Sequence, residues 1–224
     1  LEFILVDDHS NDNTRVLLEN SSLFDLKVVS LPQSKSGKKQ AIKMGVSIAS
    51  GEIILSSDAD CILNPNWVRT MASYFSDNNL NLVSGPVFFN KEQGFFQNFL
   101  ALEFASLIGS GAGAIGVKNA IFCNGANMAY RKKIFLELNG LKDDSVASGD
   151  DVFLLHSVKA KYPNSIGFAK NKAAVVFTNS VKTCNDFINQ RKRWASKSSS
   201  YKDIVSIYVS YLVFFTNFLL VFLF

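Results

Sequence analysis

Histidine, cysteine, methionine and proline are all scarce in this chain, at two, three, three and four of 224 residues. The two histidines, His9 and His156, are isolated from any second His or Cys that could complete a metal site, which argues against zinc. Cys61, Cys123 and Cys184 are odd in number, widely spaced and contain no CxxC pair. A disulfide scaffold is therefore not indicated and a reducing compartment is expected. Thirteen glycines and four prolines exclude collagenous and low-complexity classes. Charge of one sign is also lacking: 23 Lys+Arg stand against 19 Asp+Glu, a net +4 that gives no reason to expect a nucleic-acid partner. What the chain does have is hydrophobic residues, at 48%, and twenty phenylalanines. That is ample for one large domain or two small ones with a core that needs no staples.

The hydrophobic residues are unevenly placed. Residues 204–224, IVSIYVSYLVFFTNFLLVFLF, contain no charge. About 20 apolar residues cross a hydrocarbon layer of roughly 30 Å, so this stretch is expected to be a membrane helix. Arg191, Lys192, Arg193, Lys197 and Lys202 precede it, with Asp203 the single nearby acid. By the positive-inside rule that bias keeps the domain of residues 1–203 in the cytoplasm, at the plasma or inner membrane. No secretory signal is visible at the N-terminus. A start at Leu1 and a stop inside the apolar stretch lead to the expectation of a piece of a longer membrane protein.

Residues 3–6 and 27–31 read as buried strands, and 53–57 as a third. Residues 38–49 place Ala41, Met44, Gly45 and Ile48 on one helical face. Asn64-Pro65 predicts an N-cap followed by proline at the first helical position, opening a helix with Trp67, Val68, Met71 and Phe75. Strands alternating with helices imply an α/β fold with a parallel or mixed sheet, in which ligands sit beyond the carboxyl ends of strands. Residues 95–117 are apolar with one charge, Glu103. Their glycines argue against a spanning helix and leave an interfacial amphipathic segment or a buried helix followed by a flexible loop. A further helix is expected after Asp150-Asp151, and another over 185–197, where Gln190, Arg193 and Trp194 share a face.

Asp7-Asp8 and Asp58-Ala59-Asp60 both follow strands. Two carboxylates one residue apart at a strand tip suit a divalent cation whose shell is completed by phosphate oxygens. Each cluster also has a plain reading, a solvated turn with local Asx hydrogen bonds. Asp150-Asp151 would equally well cap a helix. Lys38-Lys39 after Gly37 is no Walker A motif, because Pro32 stands where the first glycine belongs. A membrane-flanking charge run accounts for Arg191 to Arg193 but not for Gln190 and Trp194 beside Arg193.

Taken in order, VDDHSNDNT, SGKKQAIKMG, SSDAD, FCNGANMAYR, SGDD and QRKRW before an apolar span resemble the family-2 glycosyltransferases of the GT-A fold, most closely the membrane-bound processive type. The resemblance covers residues 1–203. It implies a Rossmann-like mixed sheet flanked by helices, N-terminally incomplete because the chain begins at the second strand of the usual domain, followed by a transmembrane helix. It implies that Asp7 and Asp8 meet the base and ribose of a nucleotide, and that Lys38 approaches the diphosphate of a nucleotide-diphosphate sugar, a UDP-sugar for preference. Asp58 and Asp60 match the DxD pair that binds Mg²⁺ or Mn²⁺. Cys123, Asn124 and Gly125 match the acceptor-side segment, and Asp151, with Asp150 beside it, the general base. Gln190, Arg193 and Trp194 match the QxxRW set for diphosphate and acceptor.

These roles make chemical sense together. Inverting sugar transfer needs a carboxylate within reach of the acceptor hydroxyl and cationic groups on the departing diphosphate. Arg193 offers bidentate phosphate geometry, and Trp194 a flat face for a sugar ring. The acceptor would be a glycan or a lipid at the membrane. Two other readings are open on the sequence: a catalytically silent subunit of a membrane polysaccharide synthase, and a phospho-receiver domain ending near residue 120, with Asp8 and Asp58 as its acids.

Overall fold

The computed structural model describes residues 1–21, 25–90, 93–138, 150–198 and 201–223, with the side chains of Glu19, Asp150, Lys197 and Ser198 outside that description. Its elements alternate as the sequence pattern requires. Phe3–Asp7 (β1) and Leu26–Ser30 (β2) flank Thr14–Glu19 (α1) and pair in parallel, Phe3 opposite Leu26 and Asp7 opposite Ser30. Lys38–Ile48 (α2) packs on β1, where an added Cβ at Gly45 would lie 3.5 Å from the Val6 side chain. Glu2 ties this unit to the following turn by accepting from the Ser50 and Gly51 amides at 2.6 and 2.9 Å.

Ile53–Ser56 (β3), Ile62–Leu63 (β4), Leu82–Ser84 (β5), Val87–Phe89 (β6), Met128–Arg131 (β7), Ile166–Phe168 (β8) and Val176–Thr178 (β9) make two further sheets. One has the order β3-β7-β5-β8, antiparallel except for the parallel β5/β8 pair; the other is β4-β9-β6. Helices cover both faces of the four-stranded sheet. Leu82, Met128 and Tyr130 face Ile134 and Phe135 of Lys132–Glu137 (α5) and Leu154, Leu155 and Val158 of Asp150–Lys161 (α6). The alternate residues Val83 and Ala129 face Trp67 and Met71 of Trp67–Ser73 (α3) and Phe104 and Ile108 of Phe95–Gly116 (α4). This period of two divides the core into two layers around one sheet. Cys184–Ser198 (α7) lies along α4, and Ile204–Leu223 (α8) follows.

Several expectations need correction. The helix expected at Asn64-Pro65 begins at Trp67, because the Asn64 side chain accepts the Asn66 amide at 2.9 Å and its carbonyl accepts Trp67 N–H at 2.8 Å, forming a turn instead. Of the two readings of 95–117, the buried helix followed by a flexible loop does not hold, because α4 is continuous for 22 residues. Gly111 there fills a close approach, since an added Cβ would meet the Phe122 ring at 3.0 Å, so packing outweighs the helix propensity of glycine. The short strands β5 to β9 carry no pattern long enough to read in sequence. The antiparallel strand β7 and the elements beyond it leave no place for a receiver domain ending near residue 120.

One buried side chain gathers several of these parts. Asn127, fully buried, donates to the carbonyls of Pro86 at 2.8 Å and Ala174 at 2.7 Å and accepts the indole N–H of Trp67 at 2.9 Å. Gly85 lies so close that an added Cβ would sit 2.4 Å from the Asn127 amide.

The junction before α8 is docked on α6. Lys159 pairs with Asp203 at 2.8 Å, Asp203 accepts from the Ser206 hydroxyl at 2.8 Å, and that hydroxyl lies 3.0 Å from His156 Nε2. His156 is thus the core-edge residue expected of it, half-buried and bonded to the Ile121 carbonyl at 3.2 Å. Burial pulls its imidazole below the ordinary value, aided by Lys159 and opposed by the Ile121 carbonyl and Asp203.

Two measurements follow from this packing. Asn127→Ala strands an indole N–H and two carbonyls, so we expect a loss of about 3 kcal/mol, near the upper end of single-residue effects, read as a lower unfolding midpoint. Because the folded His156 binds its proton less readily than the unfolded one, stability falls as pH drops through about 6.5; His156→Gln flattens that fall in a pH series of thermal melts.

Candidate active site

β1 and β3 end at the same side of the fold as the turn before β7, and the acidic residues sit at those ends. Asp7, last in β1, is buried and accepts the Ser10 amide at 3.3 Å. Asp8 is exposed and its carboxylate accepts the Gly37 amide at 2.7 Å. Gly37 has φ 93°, a left-handed value that glycine adopts without penalty, and it opens α2. The next residue, Lys38, places its ammonium on the Asp58 carboxylate. The neighbour of Asp58, Ser57, donates to the Ala126 carbonyl at 2.8 Å, and Ser56 donates to the Gly125 carbonyl at 3.2 Å. Gly125 N–H in turn donates to the Asp151 carboxylate at 2.9 Å.

A single run of hydrogen bonds and ion pairs therefore passes from Asp8 through Gly37-Lys38, Ser57-Asp58 and Gly125-Ala126 to Asp151. Residues up to 143 positions apart in the chain share one site (Asp8 to Asp151). Asp60 lies beside it, exposed, and among the described residues takes long contacts from the Thr178 hydroxyl at 3.4 Å and the Cys61 thiol at 3.7 Å.

Asp151 is held by the start of α6. Its second oxygen accepts the Val152 amide at 2.9 Å, and its approach to the 123–127 turn depends on Gly125, where a Cβ would press on it at 3.3 Å. Asp150 opens the same helix, and its side chain lies outside the described residues, as do Ser148 and Gly149. Asn124 is half-buried and turns its side chain to the Ala126 amide at 3.0 Å. Cys123, expected at the acceptor side, is buried under the site: its thiol donates to the Asp151 backbone carbonyl at 3.3 Å, and burial together with the charge of Asp151 pushes its pKa well up. It supports Asp151 from beneath and offers no surface of its own.

QRKRW occupies α7, with Gln190 and Trp194 half-buried and Arg193 exposed. The Trp194 ring lies 6.3 Å from Phe104 of α4. Arg191, given no role beyond a charge run, pairs with Glu103 of α4 and lies 4.7 Å from the Phe187 ring and 4.3 Å from that of Trp194. The lone charge within the apolar 95–117 run was the sequence signal for that pair. Two residues carried no signal. Thr178 reaches Asp60, and Tyr201, in the junction before α8, stacks edgewise on Phe153 at 5.9 Å and His156 at 5.3 Å. Burial, reinforced by the nearby charge of Asp151, pushes the Tyr201 phenol up to about 12.

Acidic tips on a parallel strand pair and on a mixed sheet, with a lysine at a helix start facing them, fit a GT-A glycosyltransferase domain. The chain belongs to Glycosyl transferase family 2, which matches residues 1–138. It is 29% identical over 170 residues to the glycosyltransferase GlyG of Streptococcus pneumoniae, covering 70% of this chain and 56% of that protein. It is 30% identical over 129 residues to a poly-beta-1,6-N-acetyl-D-glucosamine synthase of Staphylococcus epidermidis, covering 54% and 31%. The chain thus spans about half or less of these relatives. Among solved structures it resembles the mannosyltransferase PcManGT of Pyrobaculum calidifontis in complex with GDP-Man and Mn²⁺, at TM-score 0.63 and 19% identity over 92% of this chain and 57% of that one. Glucosyl-3-phosphoglycerate synthase of Mycobacterium tuberculosis, in complex with Mn²⁺, UDP and glucosyl-3-phosphoglycerate, matches at TM-score 0.55 and 18% identity over 83% and 63%. At these identities the structures share the fold.

The buried Cys123 makes one expectation simple to check. In the native protein maleimide modifies exposed Cys184, whereas Cys123 reacts only after unfolding, read by mass spectrometry of the peptides.

Proposed function

We propose that residues 1–203 form the donor-binding and catalytic domain of an inverting glycosyltransferase that moves a sugar from a nucleotide diphosphate, UDP for preference, to a glycan or lipid acceptor at a membrane, and that α8 spans that membrane. The observation that carries this reading is the continuous row from Asp8 to Asp151. It sets Asp8, Lys38 and Asp151 along one edge, which supports reading them as nucleotide-side carboxylate, phosphate-side lysine and base.

In this reading Asp7 and Asp8 hold the base and ribose. Lys38, at the N-terminus of α2, turns from Asp58 toward the diphosphate, where the helix dipole also favours negative charge. Asp151 accepts the proton of the acceptor hydroxyl as its oxygen attacks the anomeric carbon. The bond from that carbon to the diphosphate breaks, the electron pair leaves with the diphosphate, and the new glycosidic bond forms on the opposite face. Asn124 and Gly125 border the acceptor, and Gln190, Arg193 and Trp194 close on diphosphate and acceptor from α7.

Asp58 and Asp60 fit a hard divalent cation. Asp58 already takes a cationic partner in Lys38, Asp60 has oxygens with only long contacts among the described residues, and few protein ligands are needed where phosphate supplies the rest. Mg²⁺ or Mn²⁺ bound there would neutralise charge on the leaving diphosphate. Mn²⁺ in the PcManGT and glucosyl-3-phosphoglycerate synthase complexes supports this choice, and the polysaccharide synthase relative supports a glycan acceptor.

The test is calorimetric titration of UDP into the full-length protein with and without Mn²⁺, beside two variants. Binding that requires Mn²⁺ and weakens more than about tenfold in Asp58→Ala/Asp60→Ala is expected, given charge-assisted contacts of about 1.5–3 kcal/mol each. Asp151→Asn should keep UDP binding while lowering transfer about 10²–10⁴-fold. Failure of UDP, GDP and TDP alike to bind overturns the donor site; unchanged turnover in Asp151→Asn removes the base and leaves the donor site standing.

A further inference from the structure

Asp60 stands at one end of a second polar row, built on the small sheet β4-β9-β6. Ile62 of β4 lies opposite Phe177 of β9, and Phe89 of β6 lies opposite Thr178 of β9. One further step along the β6/β9 register sets Asn90 opposite Asn179, and two steps along the β4/β9 register set Asp60 opposite the same asparagine. Residues directly opposite one another share a face of the sheet, so Asp60, Asn179 and Asn90 form a line across three strands, about 10 Å long at about 4.8 Å per strand. The hydrogen bonds agree. Asn90 Nδ2 donates to Asn179 Oδ1 at 2.8 Å, and the neighbouring Thr178 donates its hydroxyl to Asp60 at 3.4 Å.

The Asn90–Asn179 pair does little for the fold. The Asn90 backbone amide is already bonded to the Thr178 carbonyl at 2.8 Å, so neither side chain is needed as a cap there. Asn179 is exposed and Asn90 half-buried, and an amide–amide bond open to water adds little net stability. The pair does hold two planar amides in one orientation, and between them they keep donors and acceptors beyond the single bond they share. The far end of the row is fixed as well: Phe89, next to Asn90, stacks on Phe104 of α4 at 4.4 Å, and Phe104 lies 6.3 Å from Trp194 of α7. The row thus runs from the Asp60 carboxylate toward the Trp194 side of the site. In the proposed reaction the first end holds cation and diphosphate and the second the acceptor, so the sugar in transit has to lie between them, beside the amide pair. Neutral amides suit that place, because they bond hydroxyl or acetamido groups in both senses and add no charge beside a phosphate-bound cation.

We infer that Asn90 and Asn179 form the subsite that reads the polar ring substituents of the transferred sugar, while Thr178 steadies Asp60 for the cation. This rests on the proposed donor site at Asp58 and Asp60. The two asparagines are then specificity-determining residues: they add nothing to recognition of the nucleotide, and they separate hexoses that differ at a hydroxyl or an acetamido group.

Calorimetric titration of the full-length protein in Mn²⁺ tests this, with UDP, UDP-glucose, UDP-galactose and UDP-N-acetylglucosamine as probes and Asn179→Ala and Asn90→Ala as variants. A thermal melt verifies that each variant is folded; the outcome rests on exposed Asn179 if Asn90→Ala is not. On the unsubstituted protein the three conjugates are expected to differ in affinity by about tenfold or more. The variants narrow that spread roughly three- to tenfold, the effect of one hydrogen bond, and leave UDP itself within about twofold. A spread that neither variant narrows overturns the inference and leaves the pair as a strand-end brace. Equal weakening of UDP and its conjugates also overturns it, because the row then acts only through the cation on Asp60. Three conjugates bound alike by the unsubstituted protein overturn it as well. If UDP and all three conjugates fail to bind, the UDP site itself falls and this inference with it.

Discussion

A buried amide has to find hydrogen-bond partners for all its polar atoms, and Asn127 finds them in three segments that are distant in sequence. Trp67 comes from α3, Pro86 from the turn between β5 and β6, and Ala174 from the turn before β9. Leaving any of these groups unpaired in the interior would cost more than the bond itself contributes, so the three segments converge on one point. Asn127 also stands immediately before β7, an inner strand of its sheet, paired with β3 on one side and β5 on the other. The turn that leads into it, residues 123–126, is therefore fixed at one end by the core.

That fixed turn is what the acidic row is built on. Its two carbonyls, from Gly125 and Ala126, receive the hydroxyls of Ser56 and Ser57 at the end of β3, and its Gly125 amide receives Asp151. Three carboxylate-bearing segments would repel one another if left to themselves. Backbone amides at Gly37, Gly125 and Val152 and the ammonium of Lys38 offset that repulsion without burying the groups. The oxygens thus stay on an edge that is at least partly open to solvent.

Much of the fold was legible. The strands near residues 3–6, 27–31 and 53–57 and the helices opened by Lys38 and Asp150 appear within a residue or two, because each has a periodic pattern over at least four residues. Strands β5, β6, β8 and β9 have three residues each, too short for a period to register, and the pairing of β5 to β9 is set by partners far along the chain. The continuity of α4 through its glycines was likewise invisible, since it depends on Phe122 pressing against Gly111. Among the site residues, acids after strands were readable as such. The burial of Cys123, the inward turn of Arg191 and the arrival of Tyr201 beside α6 were not, because each is decided by neighbours that the local sequence does not name.

By itself, then, the sequence determined the residue types and their order: acids at strand ends, a glycine-lysine step at a helix start, an apolar helix after a basic one. Those follow from local rules of turn chemistry, periodicity and charge. Only the tertiary structure decided that Asp8, Lys38, Asp58 and Asp151 belong to one edge and that the α7 arginine held against α4 is Arg191. The physical reason is that local rules act over a few residues, whereas the demand that buried polar groups be paired and apolar faces be covered acts across the whole chain.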